Sequence, residues 1–433
     1  MTSASNPSNF NELGLIPELV ARLSDLEYTQ PTPIQAKAIP SILAGHDLIA
    51  GANTGSGKTA AFALPILQKI SQGALKRDAK GNYVSALILV PTRELATQVA
   101  DNVKSYSAYF NGAIKTMAVF GGVSVNTQMQ ALRGGADIIV ATPGRLLDLI
   151  SSNAIKLDKV NTLVLDEADR LLSLGFTEEL AELLALMPAK KQTMLFSATF
   201  PEQVMLLTQE LLKNPLEIQL QNKDESTLVQ RVFTVNKGEK TTVLAHLIKQ
   251  QQWRQALIFV NAKKDCEHLA NKLEKRGINA QVFHGDKGQS ERTRVIEKFK
   301  AGEIDVLIAT DIAARGLDIE KLPVVINFNL PRSPADYMHR IGRSGRAGEV
   351  GLALSLIDYE DFHHFKIIEK KNKLRLDREE VTGFAVNQAN LDAALALKND
   401  KPMAKPEGTG KKKKKNKVNP EDDAWSGWRN RSK

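Results

Sequence analysis

Short runs of apolar and β-branched residues recur along the chain, separated by stretches with helical spacing. In the first half, residues 47–52, 86–90, 137–142, 162–166 and 193–197 read as strands. Their near-continuous hydrophobicity fits a parallel sheet covered by helices on both faces. The second half repeats the pattern at 256–261, 280–284, 305–310, 324–329 and 351–357, with helical segments such as 263–276 between. Two parallel α/β sheets are expected. Between the halves, residues 219–227 (Q-L-Q-N-K-D-E-S-T) are polar and without periodicity, the pattern of a linker. The expected layout is a first domain at 1–218, a linker at 219–228, a second domain at 229–378 and a tail at 379–433. Strand signals stop after about residue 378. From 398 the chain is poor in apolar residues, rich in Lys, Pro, Gly and Asn, and expected to be disordered.

Composition narrows the class. With 433 residues and 42% hydrophobic content the chain can bury sizeable cores, which excludes a wholly disordered or fibrous protein. Net charge is +9, but residues 401–433 hold 11 Lys/Arg against 4 Asp/Glu, so this end carries +7 and the body only +2. No apolar run approaches the ~18 residues of a membrane span, and residues 1–10 lack a signal-peptide pattern. A cytoplasmic location without membrane attachment is expected. The single cysteine, Cys266, cannot form an internal disulfide and fits a reducing compartment. With Leu269, Ala270 and Leu273 it falls on one helical face, so it reads as core rather than as a nucleophile. The seven histidines show no metal spacing, and no structural zinc is expected.

The strongest local chemistry is A-N-T-G-S-G-K-T, Ala52 to Thr59, directly after a strand and before the helical stretch 60–67. A strand, a Gly-containing loop and a helix N-terminus together present backbone N–H groups and a positive dipole end to a phosphate. Thr54, Gly55, Ser56 and Gly57 form the cradle, Lys58 reaches the β/γ-phosphates, and the Thr59 hydroxyl binds Mg²⁺. Ala52 departs from the first Gly of the usual pattern, away from the phosphates. The competing reading is a Gly-rich turn in an inert loop.

A phosphate cradle needs a carboxylate near its Mg²⁺, and T-L-V-L-D-E-A-D, Thr162 to Asp169, supplies acids where an apolar strand ends. Asp166 is placed to hold the metal through its water shell, and Glu167 to orient and deprotonate the attacking water. Alone, such acids read as a solvated helix start; their position after four apolar residues and downstream of Lys58 argues for chemistry. Cations for the developing γ-phosphate charge come from H-R-I-G-R-S-G-R, His339 to Arg346. On a helix or tight turn, Arg343 and Arg346 share a face; the alternative is a basic surface for RNA backbone. Gly342, Gly345 and Gly348 are no dinucleotide fingerprint.

In this order, the motifs resemble those of DEAD-box ATP-dependent RNA helicases of superfamily 2, and among bacterial forms the RhlE type most. The resemblance spans roughly residues 10–357. It implies two tandem RecA-like domains, with ATP and Mg²⁺ as cofactors and residues 1–40 as an adenine-recognition segment. There Phe10 stacks on the base and Gln35, in P-T-P-I-Q, reads its amino edge. Glu27 stands where the family usually has Gly, and Asn53 replaces a common Gln. Ser197, Ala198 and Thr199 resemble the element coupling hydrolysis to strand separation, together with His339; alone, Ser-Ala-Thr reads as a strand end with turn-forming hydroxyls. Asp318 in R-G-L-D resembles the ribose contact.

The same resemblance implies RNA contacts from Pro91, Thr92 and Arg93, from Gly121 and Gly122, and from Thr142, Pro143 and Arg145. Gln289, Arg292 and Thr310 are the second-domain counterparts. Amides, hydroxyls and arginines on phosphates bind without reading bases. Cradle, metal acid and water-orienting Glu167 lie in the first domain and the arginines in the second, so hydrolysis requires closure on ATP and RNA, prying a short duplex apart. The alternatives are an RNA clamp or annealing chaperone with weak unwinding, and a DNA-translocating motor. The expected protein is monomeric, with ribosomal precursors or RNA decay complexes as partners. The tail combines Lys411 to Lys415 and Lys417 with Trp425, Trp428, Arg429 and Arg431, either an RNA tether or a solubilising end.

Overall fold

The computed structural model describes residues 9–51, 55–75, 81–110, 114–219, 228–314, 322–345 and 351–387, with Pro7, Gly112 and Ile319. The chain divides into two compact units between Asn222 and Lys223. The first holds a seven-stranded sheet of β1 (Leu48–Gly51), β2 (Val84–Leu89), β3 (Thr116–Val119), β4 (Ala136–Ala141), β5 (Thr162–Leu165), β6 (Gln192–Ser197) and β7 (Leu216–Gln219). The order is β3-β4-β2-β5-β6-β1-β7, and every pairing is parallel. Successive side chains of a strand point to opposite faces, so Ile88 and Val164 enter one apolar cluster while Leu87, Leu89, Leu163 and Leu165 enter the other.

The second unit repeats this plan with β8 (Leu228–Thr234), β9 (Ala256–Val260), β10 (Ala280–Phe283), β11 (Val306–Thr310), β12 (Val324–Asn327), β13 (Gly351–Ile357) and β14 (Arg378–Glu379). Its order, β10-β11-β9-β12-β13-β8-β14, is that of the first sheet position by position, and all pairs are again parallel. Cys266 is buried in its core with Leu269 and Leu273, and burial pushes its thiol up to about 12. No described helix is long and apolar enough to cross a membrane.

The structure corrects the expected layout in five places. Strand β3 (T-M-A-V) is a short edge strand with only its end residues buried, β7 buries only Ile218, and β8 alternates exposed and half-buried positions before its buried end. None of them has the continuous apolar run of a central strand. Gln219 closes β7 and Leu228 opens β8, so the linker narrows to residues 220–227, outside the described residues. The tail does not begin at 379: Glu379 lies in β14 against Phe233, Val381 is buried, and Phe384 packs on the same core. Two-residue β14 carries no periodicity that a sequence reading could find. The segment from 398 lies outside the described residues.

Parallel strands bring all their C-terminal ends to one edge of a sheet, and the loops that follow them gather there. In the first unit those loops hold Gly55–Lys58, Pro91–Arg93, Gly121–Gly122, Thr142–Arg145, Asp166–Glu167 and Ser197–Thr199, after β1 to β6 in turn.

Candidate nucleotide and RNA site

The helix Lys58–Ser71 starts on Gly57, whose φ of +86° lies in the left-handed region. A Cβ there would also meet Gln35 Nε2 and push that amide aside. Lys58 is buried at 7% exposure, its amine 4.0 Å from Asp166 Oδ1 and with no hydrogen-bond partner among the described residues. A buried ammonium at a helix N-terminus that makes no hydrogen bond among the described residues fits a phosphate, which would supply acceptors.

Opposite it, Asp166 and Glu167 follow β5. Burial pushes the Asp166 carboxyl up to about 6; Lys58 works against that rise and Glu167 adds to it. A divalent cation at this carboxylate would offset the burial cost, so the donor set fits Mg²⁺ held by Asp166 with Thr59, the second residue of the Lys58 helix. Glu167 adopts φ +51°, and its N–H donates to Asp166 Oδ1 at 2.9 Å. Its carboxylate accepts from Arg170 Nη1 at 3.1 Å.

Asp169, the last acid of the tetrad, ties this segment to Ser197–Thr199. Its Oδ2 accepts from the Thr199 N–H at 3.0 Å and the Thr199 hydroxyl at 2.6 Å, and its N–H donates to Ser197 Oγ at 3.3 Å. Asp169 and Arg170 carry no role in the sequence reading; their closeness to Asp166 was the one available signal.

Gln35 lies at 1% exposure. Its Oε1 accepts from the Thr32 N–H at 2.9 Å, closing a capping box on the helix Pro33–Leu43, and its Nε2 donates to the Gly57 carbonyl at 3.1 Å. Thr32 Oγ1 donates to the Ser56 carbonyl at 2.8 Å, so this segment grips the phosphate loop directly. Phe10 is 4% exposed, edge-on to Tyr28 at 6.3 Å and part of the apolar core.

The candidate RNA segments of the first unit converge. Gly122 has φ +84°, and a Cβ there would run into Arg93 Nη1, so the Arg93 guanidinium occupies the space a side chain would take. Arg145 Nη1 donates to the Val123 carbonyl at 2.9 Å. Thr92 caps the helix Arg93–Tyr106 through its hydroxyl, and Thr142 is the N-cap of the helix Pro143–Ser151. Two helix N-termini and two arginines thus border the Gly121–Gly122 turn, a donor-rich surface suited to phosphates.

In the second unit, Gln289 opens the helix Gln289–Lys300, and its Oε1 is buried without a hydrogen-bond partner among the described residues. Arg292 stacks over the Phe283 ring at 4.7 Å, and Thr310 ends β11. The helix Pro334–Ile341 carries His339 but ends before Arg343, at the Gly342 C-cap. Arg343 sits in the turn that follows, at 4% exposure. Thr54, Asp318 and Arg346 lie outside the described residues. A further residue missed by the sequence reading is Arg340, which lies at 2% exposure and binds Asp311.

The model of the family described as DEAD/DEAH box helicase matches residues 32–207, and that of the helicase conserved C-terminal domain matches residues 239–348. The chain is 41% identical over 371 residues to the ATP-dependent RNA helicase CshA of Listeria monocytogenes, covering 85% of this chain and 70% of that one. It is 40% identical over 362 residues to the ATP-dependent RNA helicase DeaD of Buchnera aphidicola, covering 83% of this chain and 59% of that one. Among solved structures, S. cerevisiae Dbp5 bound to RNA and ADP BeF3 matches with a TM-score of 0.76 at 30% identity, covering 91% of this chain and 99% of that one. DEAD-box helicase Mss116 bound to ssRNA and UDP-BeF matches with a TM-score of 0.76 at 29% identity, covering 89% of this chain and 81% of that one.

Proposed function

The chain belongs to the DEAD-box ATP-dependent RNA helicases, and from that premise we propose how its residues divide the work. The observation that carries the reading is Lys58: a buried amine at a helix N-terminus, 4.0 Å from Asp166 and without a hydrogen-bond partner among the described residues.

Gly55, Ser56, Gly57 and Lys58 bind the phosphates of ATP, with Thr59 and Asp166 holding Mg²⁺. The ion, when bound, neutralises phosphate charge. Glu167 orients the attacking water and takes its proton. Phe10 and Gln35 recognise adenine, and Asp318 the ribose. Because Gln35 and Thr32 already hold the loop at Gly57 and Ser56, the base-recognition segment and the phosphate segment move as one. Arg343 and Arg346 supply the cations that neutralise charge developing on the γ-phosphate.

RNA lies on Arg93, Gly121, Gly122 and Arg145 in the first unit and on Gln289, Arg292 and Thr310 in the second. These are amides, hydroxyls and guanidinium groups, which bind phosphate and sugar regardless of base. The Asp169–Thr199 bonds link the hydrolytic acids to Ser197–Thr199, a route by which hydrolysis reaches bound RNA. In this reading the enzyme is a cytoplasmic monomer of the RhlE type, and it acts on ribosomal precursors or on RNA in decay complexes.

The test is ATP-driven separation of a short RNA duplex by the full chain. Lys58→Ala abolishes it with loss of nucleotide binding or hydrolysis, while Glu167→Gln keeps ATP and RNA bound but slows the chemical step. Normal turnover in either variant overturns the assignment. Crosslinking RNA in cells and sequencing what is recovered identifies the RNA class.

A further inference from the structure

Glu167, Asp169 and Arg170 are all buried, at 6%, 7% and 4% exposure, with Asp166 at 3% and Lys58 at 7% beside them. Asp169 is engaged by Thr199, and Asp166 faces Lys58. Arg170 bonds the Glu167 carboxylate, through Nη1 to Oε2 at 3.1 Å. Arg170 lies three positions on in the first turn of the helix Ala168–Ser173, on the same side as Glu167.

The backbone of Glu167 makes that bond more than charge balance. At φ +51°, ψ +51° it is a non-glycine residue in the left-handed region, held there by its own N–H on Asp166 Oδ1 and by its carbonyl accepting from the N–H groups of Arg170 and Leu171. The backbone is fixed, and the freedom left to the carboxylate is side-chain rotation. A charge-assisted bond in a water-poor setting removes that freedom and sets the plane of the carboxylate.

From this the geometry points to Arg170 as a positioning residue: it holds the carboxylate of Glu167 in the orientation from which that group directs the attacking water. The inference rests on the assignment of Glu167 made above. A purely structural role for Arg170, offsetting buried acids, would change the stability of the first unit and leave the hydrolysis step untouched.

The experiment is single-turnover ATP hydrolysis by the full chain at saturating RNA, alongside equilibrium binding of a fluorescent ATP analogue. The proteins compared are wild type, Arg170→Met, Arg170→Lys, Glu167→Gln and the double variant Arg170→Met/Glu167→Gln. Arg170→Met should slow hydrolysis between about tenfold and a hundredfold, as expected for a misplaced catalytic group, with nucleotide affinity within about twofold of wild type. Arg170→Lys should recover part of the loss, and it carries the test if the Met variant does not fold. The double variant should hydrolyse no more slowly than Glu167→Gln alone.

Wild-type hydrolysis by Arg170→Met with only a lowered melting temperature overturns the proposal, as do losses that multiply in the double variant. If Glu167→Gln itself hydrolyses at the wild-type rate, the assignment of Glu167 fails first and this inference with it. That result is distinguishable because it appears without any change at Arg170.

Discussion

Arg340 grips Asp311 with both prongs of its guanidinium, Nε to Oδ1 and Nη2 to Oδ2, each at 2.6 Å. Nη1 donates to Asn327 Oδ1 at 3.0 Å and to the Asn329 carbonyl at 2.6 Å, and Nη2 also donates to Asn261 Oδ1 at 3.2 Å. Every N–H of the group is thereby used, with the Phe259 ring beneath it at 4.9 Å. The acceptors come from the ends of β9, β11 and β12, adjacent in the sheet, while Arg340 rides on the helix that leads to Arg343. Truncation to Ala removes a buried guanidinium and leaves the half-buried Asp311 carboxylate and the Asn acceptors without their donor, and should cost the second unit about 3 kcal/mol. Arg340→Lys keeps the charge but not the fork, so a smaller loss is expected. Thermal melting gives the stability change. RNA-stimulated ATPase of Arg340→Lys should also fall, because Thr310 beside Asp311 and Arg343 beyond Arg340 then lose their common anchor.

What the sequence disclosed and what it hid divide along the range of the interaction. The phosphate loop and Asp166–Glu167 were legible because each is a local pattern, glycines and Lys at a helix start or acids at the end of an apolar strand. The central strands were legible for the same reason, since two-sided burial writes itself as a continuous apolar run. Arg340 was not, because its partners at 261, 311, 327 and 329 come together only once β9, β11 and β12 are side by side. The Gln35 contact to Gly57 and the Arg93 position over Gly122 were hidden likewise: sequence named the residues but not their partners. Phe10 shows the limit from the other side, since an aromatic marked for a ligand by resemblance also fills core space.

Glu27 stands where the family usually has glycine, and its φ of +61° explains that preference. It ends the helix Pro17–Asp25 in a two-bond cap: the Tyr28 N–H donates to the Leu23 carbonyl at 2.9 Å and the Glu27 N–H to the Ser24 carbonyl at 3.0 Å. A left-handed residue with a Cβ is strained by about 1–2 kcal/mol, partly cancelled because glycine loses more chain entropy on folding. Glu27→Gly should therefore stabilise the first unit by about 0.5–1 kcal/mol, raising its melting temperature by a few degrees, whereas Glu27→Ala should not. Equal melting temperatures for the two variants would show that the side chain, not the backbone, sets the energy.

The basic tail makes a separate prediction. Deleting the residues after Lys398 removes the lysine run 411–415 and the pair Trp425 and Trp428. If these tether RNA, affinity falls and the dependence of binding on salt becomes shallower, because fewer counterions are released. ATPase at saturating RNA should stay at the full-length value. Unchanged affinity and unchanged salt slope would leave the segment a solubilising end.

Asp166 supplies the pH-dependent prediction, for protein in a chelator without nucleotide. Burial, opposed by Lys58 and reinforced by Glu167, raises its carboxyl from 3.8 to about 6 in the folded state. Below pH 4 the acid is protonated whether folded or unfolded and contributes no difference. Between about pH 4 and 6 the unfolded chain releases its proton first, so the folded chain binds more protons and stability falls as pH rises. Above 6 the full penalty is present, of order 3 kcal/mol before relaxation. Asp166→Asn removes this titration, although Lys58 then loses its opposing charge and part of the gain is forfeited. The stability of Asp166→Asn relative to wild type should accordingly improve by about 1–3 kcal/mol from pH 4 to pH 7, read from denaturant melts of the first-unit transition. ATP hydrolysis should be lost in the same variant. A stability difference that is flat across this range would place the proton elsewhere in the acid cluster.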